Sequence, residues 1–167
     1  RIQEAIMPSM AAMDEALKNG FVLYEPKDVV AGDFFWMEQQ DNEVFYAAAD
    51  CTGHGVPGAM VSVVCSNALT KAFLEEGIRI TGALLDRTRE IVITQLAKSG
   101  EEVKDGMDIS LCALNNKTKE LKWAGANNPL WILRKGAEEF EETKADNQPI
   151  GKYAEPRPFT EHTIQLN

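Results

Sequence analysis

Residues 31–59 read AGDFFWMEQQDNEVFYAAADCTGHGVPGA. Two apolar segments separated by a short polar tip predict a β-hairpin, with strands at 34–38 and 43–49. A glycine-rich turn follows, and Pro57 begins a predicted helix with a wide apolar stripe. The stretch therefore predicts a strand–strand–helix unit.

An acidic residue stands at the outer end of each predicted strand. Asp33 begins the first strand and Asp50 ends the second, so antiparallel pairing places both at one end of the sheet. Two such carboxylates repel each other unless one stays protonated. Mg²⁺ or Mn²⁺ resolves this conflict, because hard divalent cations prefer carboxylate, carbonyl and water oxygens.

The turn after Asp50 suits an anion beside such a metal. Gly53, Gly55 and Gly58 permit positive φ and close approach of the backbone. They lead into the predicted helix, whose first N–H groups and dipole favour negative charge. The arrangement is compatible with a phosphoryl group.

Each candidate also has an ordinary structural interpretation. An Asp at the end of a strand commonly shapes a turn. His54 is a candidate proton donor to a leaving group, or equally a capping or hydrogen-bonding residue. Cys51 is typical of a small buried hydrophobe, and a nucleophilic role would need His54 as its base. Asp108 is more typical of a strand start than of a metal ligand.

The remaining pattern extends the unit on both sides. Apolar periodicity predicts helical turns at 1–5, a helix through Met10 and Leu17, and a helix at 82–98. Strands are predicted at 21–24, 109–114, 119–124, 130–134, 138–142 and 159–166. Strands, then two helices, then more strands indicate an α+β fold.

Composition limits the function classes. The 167 residues are 44% hydrophobic and 26% charged, which is typical of one globular domain. The net charge of −9, with no basic run, disfavours a nucleic-acid partner. No apolar run is long enough for a membrane span, so no direct membrane contact is expected. Three scattered cysteines form no zinc or disulfide pattern, which favours a cytoplasmic location.

Several motifs, taken in order, resemble one family. Residues 26–35 resemble a P-x-x-x-x-G-G-D-aromatic-aromatic opening, and residues 50–59 a D-x-S/T-G-H-G-x-x-A/G-A signature. Residues 124–130 resemble A-G-H-N-P, residues 149–151 resemble P-I/L-G, and residues 1–8 resemble R-x-Q-x-x-I/L-L/M-P. Together these are similar to the SpoIIE/RsbU-type phosphatases, the bacterial branch of the metal-dependent, type-2C-like protein phosphatases.

The resemblance implies a site and a fold. It implies metal ligands at Asp33, Asp50 and the backbone carbonyl of Cys51, with two Mn²⁺ or Mg²⁺ ions in the intact domain. Metal coordination would lower the pKa of a water that attacks phosphorus. The family architecture is a β-sandwich of two mainly antiparallel sheets flanked by helices. Ala126 replaces a frequent His, so no role for that His is carried over.

The resemblance also implies partners and a domain division. The usual substrate is a phosphoserine or phosphothreonine on an anti-sigma-factor antagonist. Residues 1–19 would form a linker from an upstream sensory domain, and an exposed apolar stripe there favours a homodimer. Residues 20–167 would form the phosphatase domain without its C-terminal segment, which carries the last metal aspartates, so weak metal binding and weak or no hydrolysis by this fragment are expected. The alternative is a non-catalytic partner-binding module of the same fold.

Overall fold

The structure is a computed structural model that describes residues 3–26, 28–99 and 104–166. The helical elements are a 3-10 segment at Gln3–Ile6, α1 at Met10–Ala16, α2 at Gly55–Thr70, a π-helical segment at Lys71–Glu75, α3 at Thr81–Leu96 and a 3-10 end at Ala97–Ser99. The strands are β1 at Phe34–Gln40, β2 at Glu43–Cys51, β3 at Met107–Asn115, β4 at Glu120–Ala126, β5 at Leu130–Ile132, β6 at Glu141–Thr143 and β7 at His162–Gln165.

The strands form two antiparallel sheets. The larger has the order β1-β2-β3-β4-β7, and β5 pairs with β6 in a separate ribbon. Because each neighbouring pair is antiparallel, the start of β1, the end of β2 and the start of β3 meet at one rim. The predicted α+β fold, with two antiparallel sheets and flanking helices, is confirmed.

The main core lies between the large sheet and helices α2 and α3. Strand residues on the helix-facing side, such as Phe45 and Leu111, are fully buried, and so are Leu69 and Leu85 of the helices. Strand side chains alternate between faces. Residues between the buried ones, including Asp50, therefore lie on the sheet face opposite the helices.

Two predictions about local structure need correction. The strand predicted at 21–24 is wrong, because that segment has no regular secondary structure and forms no β-ladder with the described residues. A strand exists only through pairing, and Phe21 and Leu23 are instead largely exposed. The helix predicted from Pro57 begins at Gly55, with Pro57 still in its first turn. The predicted turns at 1–5 fall partly outside the described residues.

The N-terminal segment packs against the domain. Met7 contacts the main core, Ala16 is buried, and Met10 is 48% exposed. Across the described residues, every helix is too short or too polar to cross a lipid bilayer. The homodimer expected through this segment stays a prediction.

Candidate metal centre

Asp33 and Asp50 meet at the rim of the large sheet. Phe34 pairs with Ala49, so these two acids are the next residues outward on antiparallel strands. Their carboxyl groups lie close enough to share a hydrogen bond when Asp33 is protonated. The juxtaposition expected from the hairpin is therefore present in the structure.

The electrostatics of Asp33 reflect this contact. Partial burial raises the pKa of its carboxyl, and the hydrogen bond to Asp50 and the charge of Asp50 raise it further. Asp33 thus holds a proton to higher pH than an isolated aspartate does. A divalent cation would remove the repulsion that causes part of this shift.

The Asp50→Asn variant is expected to lower the pKa of Asp33. The substitution removes the neighbouring negative charge, while the burial remains. A pH titration of the Asp33 carboxyl carbon by NMR measures the change. Asp41→Asn, at the opposite end of the hairpin, is the matched control. An unchanged Asp33 pKa in the Asp50→Asn variant would contradict the contact.

The glycine-rich turn is built on close backbone contacts. Gly53 and Gly55 have φ values of 83° and 60°, as predicted, whereas Gly58 lies within α2 and does not have a positive φ. A Cβ placed on Gly32 would lie 2.8 Å from the carbonyl oxygen of Cys51, and one on Gly58 would lie 2.6 Å from that of Gly53. The segment before Asp33, the turn after Asp50 and the start of α2 are therefore packed backbone to backbone.

The Cys51 side chain does not belong to the rim. It is 3% exposed and points into the main core. A hydrogen bond with Cys65 and burial raise the pKa of its thiol well above its ordinary range. A nucleophilic Cys51 is therefore wrong, since the thiolate is the reactive form. The assignment of the Cys51 backbone carbonyl as a metal ligand stays a prediction.

His54 lies at the N-cap position of α2. Its side chain is exposed and makes no capping hydrogen bond, so the capping interpretation is wrong. Within the described part of the chain, His54 lines neither of the two cavities that flank Asp50. Its role as a proton donor stays a prediction.

Asp108 lies at the start of a strand, as expected, and that strand start is at the rim. It is the second residue of β3 and pairs directly with Asp50 across the sheet. Asn127 donates a 2.8 Å hydrogen bond from Nδ2 to Oδ1 of Asp108. Sequence reasoning did not assign Asn127 a role, although it lies in the quoted 124–130 motif.

Tyr24 is a second residue that sequence reasoning missed. Its hydroxyl donates a 3.1 Å hydrogen bond to the backbone carbonyl of Asp33. Burial and the charge of Asp33 raise the pKa of Tyr24, so the hydroxyl stays a donor. The strand predicted at 21–24 gave no indication of this contact.

Two small cavities flank Asp50. One, of about 260 Å³, also contacts Asp33, Tyr24 and Asn128, and the other, of about 280 Å³, contacts Asp108 and Lys104. A larger cavity of about 800 Å³ lies elsewhere on the open sheet face and is lined by neither Asp33 nor Asp50. The candidate metal ligands Asp33 and Asp50 therefore lie at the two smaller cavities and not at the cavity of about 800 Å³.

The donor set fits a hydrated hard cation. Two carboxylates and a nearby backbone carbonyl are all oxygen donors, and Mg²⁺ commonly uses one or two carboxylates with several waters. Among the described residues, no group of three or more His, Cys, Asp or Glu side chains forms a ready metal cage. Softer metals, which favour Cys or His, do not fit this rim.

The larger part of the chain matches one protein family. Residues 40–167 match the family described as Stage II sporulation protein E (SpoIIE). The chain belongs to the SpoIIE family. No curated protein matches it in sequence.

Solved structures support the same fold for this SpoIIE-family chain. It is similar to the SiaA-PP2C domain of Pseudomonas aeruginosa, with 29% identity, a TM-score of 0.85, and coverage of 99% of this chain and 63% of that one. This chain thus spans less than two thirds of that domain.

Two more distant structures show the fold alone. One contains the PP2C phosphatase domain and a regulatory fragment of SpoIIE from Bacillus subtilis, with 20% identity, a TM-score of 0.62, and coverage of 84% and 39%. The other is RsbX in complex with magnesium, with 18% identity, a TM-score of 0.62, and coverage of 88% and 66%. The SpoIIE/RsbU-type resemblance is confirmed.

Proposed function

We propose that this chain is part of a divalent-metal-dependent protein phosphatase that acts on phosphoserine or phosphothreonine. The observation that carries the proposal is the contact of the Asp33 and Asp50 carboxyl groups at the sheet rim. Family membership and the similarity to PP2C domains support the reaction class.

Residues of this chain would provide oxygen ligands to the metal. Asp33 and Asp50 would bind Mn²⁺ or Mg²⁺ through carboxylate oxygens, and Cys51 through its backbone carbonyl. Asp108 is a weaker candidate beside Asp50. When bound, such ions activate water and neutralise phosphoryl oxygens. The magnesium in the RsbX structure supports the choice of metal.

Other residues would bind and orient the substrate. The turn through Gly53 and Gly55 offers backbone N–H groups at the start of α2, where a phosphoryl group is favoured. His54 is exposed beside it and would donate a proton to the leaving serine or threonine oxygen.

The substrate and the division of the chain follow from the family resemblance. We propose a phosphorylated anti-sigma-factor antagonist as the substrate, in a cytoplasmic signalling pathway. Residues 20–167 would belong to the phosphatase domain, and residues 1–19 would link it to an upstream sensory domain.

The test is metal-dependent phosphate release. A phosphoserine peptide is incubated with the chain and Mn²⁺ or Mg²⁺, and with the whole protein where the natural protein extends beyond this chain. Release is expected to stop with EDTA and to resume when Mn²⁺ is restored. Calorimetric titration with Mn²⁺ measures binding directly.

The same experiment separates the two functional hypotheses. Metal-independent release would overturn the proposed mechanism. Absence of both Mn²⁺ binding and phosphate release in the whole protein would instead favour a non-catalytic partner-binding module with this fold.

A further inference from the structure

Gln3 is a buried polar side chain on a mostly exposed segment. It is 7% exposed, whereas Glu4 and Ala5 beside it are exposed. Burying a carboxamide is unfavourable unless its hydrogen bonds are made inside the protein. The hydrogen-bond partners of Gln3 therefore indicate why its side chain is buried.

The carboxamide of Gln3 uses its oxygen and its nitrogen. Oε1 accepts a 3.0 Å hydrogen bond from the backbone N–H of Ala31, and Nε2 donates to the backbone carbonyl of the same residue. Nε2 also donates a 3.1 Å bond to Oγ of Ser62 on α2. Ser62 in turn donates a 2.7 Å bond to the carbonyl of Ala59. One side chain thus joins the Ala31 backbone to the first turns of α2.

The position of Ala31 makes this link relevant to the metal centre. Only Gly32 separates Ala31 from Asp33, and a Cβ on Gly32 would meet the carbonyl oxygens of Cys51 and Gly53 at 2.8 and 2.9 Å. The backbone that leads into β1 is therefore in close contact with the turn that follows Asp50. Movement of Ala31 would be transmitted to Asp33, because the backbone contacts leave no space to absorb it.

The geometry points to Gln3 as a positioning residue for the metal centre. It holds the 31–33 backbone against α2 and so sets where the Asp33 carboxylate lies relative to Asp50. Its role toward the cation rests on the proposed function. The residue touches neither metal nor substrate, so its effect is on cation affinity.

The Gln3→Ala variant tests this role by Mn²⁺ titration calorimetry on the whole natural protein. The dissociation constant is expected to rise about tenfold, at the lower end of the effect of residues that orient metal ligands. Gln39→Ala removes the same group from an exposed position of β1 and is expected to bind as wild type. Gln3→Asn, which keeps the amide but shortens its reach, is expected to weaken binding similarly and serves if Gln3→Ala does not fold.

Amide hydrogen exchange gives a second readout without metal. The N–H of Ala31 is expected to exchange faster in Gln3→Ala, while the amides of β3 keep wild-type protection. A purely stabilising role would change protection throughout the domain and would leave the Mn²⁺ affinity of the folded protein unchanged.

The outcomes distinguish this inference from the proposed function. If wild type binds Mn²⁺, Asp50→Asn does not, and folded Gln3→Ala binds as wild type, the positioning role is overturned while the metal centre stands. If the whole wild-type protein does not bind Mn²⁺, the proposed function fails and this inference fails with it.

Discussion

Asp50→Asn is expected to reduce Mn²⁺-dependent phosphate release by about 100-fold or more, because even residues that only orient metal ligands contribute roughly 10–100-fold. Asp50 lies between Asp33 on one side and Asp108 on the other. Its loss removes the carboxylate common to both flanking cavities. A neutral amide replaces the charge that attracts the cation, so Mn²⁺ binding falls with activity.

The fold of this variant is expected to survive. Without metal, the substitution removes repulsion between two adjacent carboxylates, so thermal unfolding at neutral pH occurs at the same or a higher temperature. Asp41→Asn, at the exposed hairpin tip, is the control with unchanged activity. Wild-type release by a folded Asp50→Asn variant would overturn the proposed function.

The Asp108→Asn variant tests whether Asp108 is needed for activity, as Asp33 on the other side of Asp50 is expected to be. Asp108 pairs with Asp50 and accepts a hydrogen bond from Asn127, so an asparagine there keeps the shape and loses the charge. Loss of activity as large as that of Asp50→Asn would assign Asp108 to the metal. A small loss would leave it as a neighbouring structural residue.

Local sequence patterns were enough to predict the hairpin and its acidic rim. In an antiparallel hairpin, the turn fixes the register, so Asp33 and Asp50 meet without information from the rest of the chain. The positive φ values of Gly53 and Gly55 are likewise local. These features depend on short-range geometry.

Contacts between distant segments could not be predicted in the same way. Asp108 meets Asp50 only because β3 pairs with β2, and Gln3 meets Ala31 only because the N-terminal segment folds back onto α2. Periodicity describes one element at a time. The segment at 21–24 shows the same limit, since its apolar residues are typical of a strand but no described strand pairs with it.

The aromatic contacts beneath the sheet give the largest expected effect on stability. Phe73 is 1% exposed and lies in the π-helical segment after α2. Its ring makes edge-to-face contacts with Phe45 and Trp36, at centroid distances of 4.8 and 5.6 Å. The guanidinium of Arg79 lies 3.6 Å from the ring centroid. Phe73 thus joins the helices to both strands of the hairpin that carries the acidic rim.

Phe73→Ala is expected to lower the free energy of unfolding by about 3–5 kcal/mol, the usual cost of removing a buried aromatic ring and leaving a cavity. The loss includes the ring contacts with Phe45 and Trp36 and the cation–π contact with Arg79. Leu74→Ala is the matched control, because Leu74 is the next residue and is 56% exposed. Urea unfolding of both variants measures the difference. Equal midpoints for the two variants would mean that Phe73 does not anchor α2 to the hairpin.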